Sequence, residues 1–257
     1  MDIKTIVITG STRGIGYHLA LDFLRKGHQV VINGRSEHRL TKQTEALRKI
    51  NSAVTGVSGD VADVYTHQRL VQAAMDKFGR IDIWINNAGI PQSYAPFTDL
   101  PADEIDKLIQ TNITGVLLGT QIAAQFFLKQ GHGKIFNMEG FGSNGKTMPK
   151  MTLYGTSKRA VNYFTASFAK EVKNTEVQVS VLSPGMVRTE FLNHSQSEKN
   201  QIEKKRFEKV YRYLAEDVQV VAPWLSTRIL KSRKNYDRIE FLSGGRLAIR
   251  LFKLMIH

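Results

Sequence analysis

Residues 5–16 read TIVITGSTRGIG. Thr5 to Ile8 are β-branched residues that pack well on a pleated surface. They lack polar alternation, as in a strand covered on both faces. Gly10, Gly14 and Gly16 then remove side chains where the chain turns and opens a helix. Such a turn lets backbone approach a pyrophosphate closely. The helix behind it offers free N–H groups and the positive end of its dipole. Strand, glycine turn and helix in the first unit together mark a dinucleotide site, in which Ser11, Arg13 and Ile15 take part.

The same alternation continues along the 257 residues. Strand-like runs recur at 5–10, 28–34, 53–60, 81–89, 133–139, 177–185 and 238–245. Helical spacing fills the gaps, as at 15–26, 65–78, 102–130 and 153–172. This repetition predicts an α/β fold: one doubly wound, seven-stranded, mostly parallel sheet with helices on both faces. No internal repeat, low-complexity tract or Pro/Gly/Ser linker divides it, so residues 1–257 read as a single domain.

Hydrophobic residues make up 42% of the chain, enough for a large core. With no cysteine there is no disulfide framework, thiolate metal site or cysteine nucleophile, and no metal is expected. The start, MDIKTIVITG, lacks a signal pattern, and no apolar run is long enough for a membrane span, so the expected setting is cytoplasmic. The formal charge is +13, and from Asn193 onward fourteen Lys/Arg face seven Asp/Glu. No helix-turn-helix, zinc or aromatic RNA motif accompanies it, so nucleic acid is not the expected partner.

The second strand should end in an acid if it is to hold a ribose 2′-hydroxyl, as NAD sites do. Here it ends Asn33-Gly34-Arg35-Ser36. Arg35 with Arg13 can clamp a 2′-phosphate, so NADP(H) is favoured over NAD(H), although Glu37 follows closely. Further on, Tyr154 and Lys158 stand four apart and share a face if their segment is helical. A phenol has a pKa of about 10. A neighbouring ammonium is expected to lower it and make Tyr154 an acid in reduction and a base in oxidation.

These motifs resemble the short-chain dehydrogenase/reductase family. TGSTRGIG is similar to its TGxxxGxG loop, Asn86-Asn87-Ala88-Gly89 to its NNAG strand end, and Tyr154/Lys158 to its YxxxK. Pro184-Gly185 follows the sixth strand, as in that family. IDIWINNAG, IFNMEGFGS, LYGTSKRAV, LSPGMVRTEFL and IEFLSGG resemble its chlorophyll(ide) b reductase branch more closely. The resemblance implies a Rossmann fold and an oxidoreductase that reduces a carbonyl on a bulky apolar substrate with NADPH. It implies that Lys158 also holds the nicotinamide ribose and that Asn112 orders a water. It places Asp60 and Val61 at the adenine and Asn87 and Gly89 at the adenosine ribose, with Ala88 between them in the cofactor set. Ser36, Pro184, Val187 and Thr189 join the cofactor set. A homodimer or homotetramer is also implied.

One departure stands out. The family's usual strand ends Asn-x-Ser-Ser, but here the residues are Asn137-Met138-Glu139-Gly140, and the residue thirteen before Tyr154 is Phe141. Two replacements are open: a glycine-rich detour that swings in Ser143, or participation of Glu139 itself, protonated or through a water. A non-catalytic NADP(H)-binding sensor or scaffold is the alternative to an enzyme. Segment 190–216 is polar and charged and follows a strand end, which suits a substrate lid or a solvated helix. Residues 246–257 place Arg246, Arg250, Lys253 and His257 on one helical face. Such a basic amphipathic helix can touch a membrane surface or pack on its own protein or a partner.

Overall fold

Seven parallel strands line up in the order β3-β2-β1-β4-β5-β6-β9, in a computed structural model that describes residues 2–191, 208 and 210–245. The strands are β1 (Thr5–Ile8), β2 (Gln29–Gly34), β3 (Val54–Ser58), β4 (Ile83–Asn86), β5 (Gly133–Met138), β6 (Val177–Ser183) and β9 (Arg238–Glu240). Every pairing is parallel, so the expected sheet is present and has no antiparallel edge among the described residues.

Side-chain alternation along β1 divides the core in two. Ile6 and Ile8 join a cluster with Leu19, Phe23, Leu40 and Leu225. These come from helices α1 (Gly14–Arg25), α2 (Glu37–Arg48) and α7 (Val218–Lys231). Val7 points the other way, into a cluster with Leu70, Phe127 and Ala169. Those belong to α3 (Val64–Phe78), α5 (Gly115–Gln130) and α6 (Thr152–Glu171). Both faces of the sheet are therefore buried, which is why its strands read as continuous apolar runs.

β1 pairs with β2 on one side and β4 on the other, so the strand order reverses between β1 and β4. Ligands of such sheets bind outside the carboxyl ends of the strands at this point. A short parallel pair, β7 (Val187–Arg188) with β8 (Glu216–Asp217), lies outside the main sheet and was not foreseen.

The expected helix 102–130 is interrupted. It forms α4 (Ala102–Ile109), then a π-turn over Gln110–Thr114, then α5. Of the expected lid, 192–207 and 209 lie outside the described residues, as does all of 246–257. Among the described residues no helix is long and apolar enough to cross a membrane.

Candidate active site

The glycine turn sits at the reversal point. Gly10 has φ +59, and a Cβ there would come 2.6 Å from Ala88 Cα, so β1 and the end of β4 meet only because this side chain is missing. Gly14 has φ +56, and a Cβ there would make ordinary contact with the Thr189 methyl group at 3.8 Å. A Cβ on Gly16 would strike Asn87 Nδ2 at 2.5 Å. The N-terminus of α1 carries no side-chain cap and no acid in its first turn. Its first N–H groups are therefore left without a side-chain partner, which suits an anionic pyrophosphate at this helix end.

The rest of the expected cofactor set is divided by the structure. Arg13 and Arg35 are exposed, and each rests on a carboxylate: Arg13 on Glu190 at 3.3 Å and Arg35 on Asp60 at 3.8 Å. Ser36 caps α2 by accepting from Arg39 N. Asp60 caps no helix. It accepts from Ala62 N at 2.9 Å, while Asp63 caps α3. The Val61 carbonyl takes His67 Nε2 at 2.7 Å. Pro184 and Gly185 follow β6 directly, and Gly185 has φ +75.

Three of the assigned side chains face inward. Ile15 and Val187 pack on the core. Ser11 is fully buried, donates to the Ile8 carbonyl at 2.6 Å and accepts from Asn33 N at 2.9 Å. Its hydroxyl is spent joining β1 to β2, so Ser11 shapes the loop rather than offering its side chain to a cofactor. Two residues that sequence reasoning passed over complete this scaffold. Thr9 Oγ1 accepts from Asn87 N and Ala88 N at 3.0 and 3.1 Å. Asn33 receives Gly10 N and donates to the carbonyls of Val57 and Gly59, tying three strand ends together. A polar residue at the closing end of an apolar strand was the available signal.

At the other side of the crevice, Tyr154 and Lys158 share one face of α6, with Lys158 Nζ 5.7 Å from the Tyr154 ring centroid. Gly89 packs close to Asn112 Oδ1 and Lys158 Nζ, at 3.3 and 3.6 Å from a Cβ position. Asn112 occupies the π-turn, fully buried, accepts from Ile90 N at 2.8 Å and donates to the Ile90 carbonyl and Ser157 Oγ. π-Turns often mark functional sites, and this one aims Asn112 at the strand end beside Lys158. Tyr154 is only 8% exposed and packs with Leu100, Leu108, Leu153, Ile90 and Met151. The Phe191 ring lies 5.8 Å from its own.

This burial reverses one expectation. It pushes the Tyr154 phenol above its ordinary value, and no lowering by Lys158 outweighs it. Burial also pushes the Lys158 ammonium down to about 8, against the opposing pull of Glu139.

The place of the missing serine is now defined. A Cβ on Gly140 would land on the Tyr154 hydroxyl, so Gly140, not Phe141, faces the phenol. Ser143 is buried in the following turn, where its carbonyl accepts from Arg159 Nη1 at 2.9 Å. Among the described residues its hydroxyl makes no hydrogen bond to Tyr154, and the choice between Ser143 and Glu139 as the serine's replacement stays open. Glu139 is engaged elsewhere, by Arg238 Nη2 at 3.1 Å and by Asn162 Nδ2.

Fold and strand-end site together are those of the doubly wound dinucleotide-binding class. Residues 4–200 match the family described as short chain dehydrogenase. The chain belongs to this short-chain dehydrogenase/reductase family, with a chlorophyll(ide) b reductase-like relationship. It is 37% identical to chlorophyll(ide) b reductase NOL of Oryza sativa subsp. japonica, over 96% of this chain and 74% of that one. It is 32% identical to the probable chlorophyll(ide) b reductase NYC1 of the same plant, over 96% of this chain and 51% of that one. The chain thus spans about half the length of NYC1. Among solved structures it is similar to a gluconate 5-dehydrogenase from Burkholderia cenocepacia J2315 in complex with NADP and tartrate. That likeness has a TM-score of 0.79 and 26% identity over 96% of each chain.

Proposed function

We propose that this protein is an NADPH-dependent reductase of a bulky apolar carbonyl compound, an aldehyde, ketone or quinone, with Tyr154 as the proton donor. The observation that carries this reading is the Tyr154 hydroxyl, buried beside Lys158 under an apolar wall of Ile90, Leu153, Met151 and Phe191. The bound nicotinamide supplies the hydride. Tyr154 supplies the proton to the carbonyl oxygen, so the product is an alcohol from an aldehyde or ketone and a hydroquinone from a quinone. A phenol raised by burial keeps its proton at neutral pH but releases it reluctantly, so this reading requires the Lys158 ammonium and the bound cofactor to bring it back toward the working range. The apolar wall keeps water from the developing alkoxide and fits a greasy substrate better than a sugar. The relatives named chlorophyll(ide) b reductase support a large, flat carbonyl substrate. Arg13 and Arg35, both exposed near the glycine turn, support a 2′-phosphate and hence NADPH.

A second reading rests on Gly140. With a glycine rather than a serine against the Tyr154 hydroxyl, the chain binds NADP(H) without turnover in this reading, as a sensor or scaffold. One experiment separates the two: cofactor oxidation, NADPH beside NADH, against aldehydes, ketones and quinones of increasing size. The expected result is turnover with NADPH on bulky apolar carbonyls. Tyr154→Phe is expected to lower it about 10²–10⁴-fold with NADPH binding retained. The Arg13→Ala/Arg35→Ala variant is expected to weaken NADPH but not NADH. Tight NADPH binding with no turnover across the panel would favour the second reading.

A further inference from the structure

The end of β5 and helix α6 engage residue by residue. Gly140 meets the Tyr154 hydroxyl. The Met138 carbonyl accepts from Lys158 Nζ at 3.2 Å. The Glu139 carboxylate accepts from Asn162 Nδ2, and Asn137 Nδ2 donates to Thr165 Oγ1 at 3.0 Å. Asn162 lies four residues after Lys158, one turn along the same helix face. Glu139 therefore sits one helical turn from the Lys158 attachment point, directly after the residue whose carbonyl receives the ammonium.

The Glu139 side chain has 0% exposure. A carboxylate so buried is costly unless paired and hydrogen-bonded. Its pairing is built from two directions: Asn162 comes from α6, and Arg238 reaches in from β9, across the end of β6. Arg238 also lies 3.8 Å from Glu240. The charged and titratable groups around Lys158 are thus Tyr154 on its own helix and Glu139 from β5, with Arg238 and Tyr236 beyond Glu139. An apolar or amide side chain at 139 would close the same space without this cost. The carboxylate's distinct contribution is negative charge beside a buried lysine.

We propose that Glu139 is a positioning residue of this site, whose buried carboxylate, anchored by Arg238 and Asn162, holds Lys158 as the cation that Tyr154 needs. This rests on the reading of Tyr154 and Lys158 as the proton-handling pair. Glu139 acts through Lys158 and touches no substrate. It fits the opposition of two effects at Lys158, burial driving the lysine toward neutrality and the Glu139 charge resisting it.

The test reads the lysine directly. In protein carrying ¹³C at the lysine Cε positions, the Lys158 signal is the one lost in Lys158→Met, and its pH titration gives a midpoint. Glu139→Gln is expected to lower that midpoint by about one unit or more. Glu139→Asp, which keeps the charge, is expected to stay near the parent. Should Glu139→Gln fail to fold because Arg238 loses its buried partner, Glu139→Gln/Arg238→Gln replaces the ion pair by two amides, and the midpoint is still expected to fall. In the reductase assay the alkaline limb of the pH profile moves to lower pH with the lysine midpoint. A midpoint unchanged in the amide variants, whatever the loss of stability, would reduce Glu139 to a structural clamp and overturn the proposal. The titration needs no substrate. A parent protein that reduces no carbonyl would refute the proposed function and leave the lysine result standing by itself.

Discussion

At Gly140 the absence of one carbon atom shapes the whole site. The Tyr154 hydroxyl rests where a Cβ would be, and Lys158 Cγ lies 3.2 Å from the same point. Tyr154 is already confined by Leu153, Leu108 and Phe191, so it has little room to retreat. Gly140→Ala therefore displaces the phenol. A misplacement of about 1 Å at a reacting group costs on the order of 10²-fold in rate. The expected outcome is a loss of kcat of that size with NADPH affinity within about twofold of the parent, read by steady-state kinetics and cofactor titration. Unchanged kcat would show that the phenol does not work from this position. Ser143→Ala, one turn away and held through its backbone by Arg159, is expected to cost far less.

Helix α6 presents Tyr154 and Lys158, the pair proposed to handle the proton, yet its own sequence does not cap it. Met151 at its N-cap makes no side-chain hydrogen bond. The acceptor comes from Gln92, 62 residues earlier, whose Oε1 takes Tyr154 N at 2.7 Å while its Nε2 donates to the Lys150 carbonyl at 2.8 Å. Gln92 is buried, so Gln92→Ala strands both backbone groups away from water. Each buried group left unsatisfied costs about 1–3 kcal/mol. A loss of stability in that range is expected by urea unfolding, accompanied by lower kcat because the uncapped turn contains Tyr154. A stability change under about 0.5 kcal/mol would show that water substitutes for the cap. This contact also marks where sequence reading ends. The strands, the glycine turn and the Tyr154/Lys158 face were legible because burial on both faces and helical period leave local patterns. The Gln92 cap, the π-turn at Asn112 and the Arg238–Glu139 pair were not. Each depends on a partner brought near only by the folded sheet, and the apolar spacing through 102–130 gives no sign that one helix changes its hydrogen-bonding register midway.

Across the whole molecule, the strand reversal between β1 and β4 gathers the glycine turn, the Asn87–Gly89 strand end and the α6 pair at one edge of the sheet. The two core layers hold that edge in place, and each side of the fold buries a histidine. His28 Nδ1 accepts from Lys4 N at 3.2 Å near the start of β2. His67 Nε2 lies 2.7 Å from the Val61 carbonyl, beneath the expected adenine region. Burial pushes both below the ordinary histidine value, with Lys26 and Lys4 adding to the effect at His28. The unfolded chain then binds protons at these positions from about pH 6.5 downward, while the folded chain resists them until its lower pKa values are reached. Stability is fully present above about pH 6.5 and is lost as pH falls through the folded pKa values. His28→Asn/His67→Gln keeps an acceptor near Lys4 N and a donor near Val61 O but cannot titrate. Unfolding midpoints measured at pH 7.5 and 5.5 are expected to differ less in this variant than in the parent. Equal differences would place the acid sensitivity outside these two histidines.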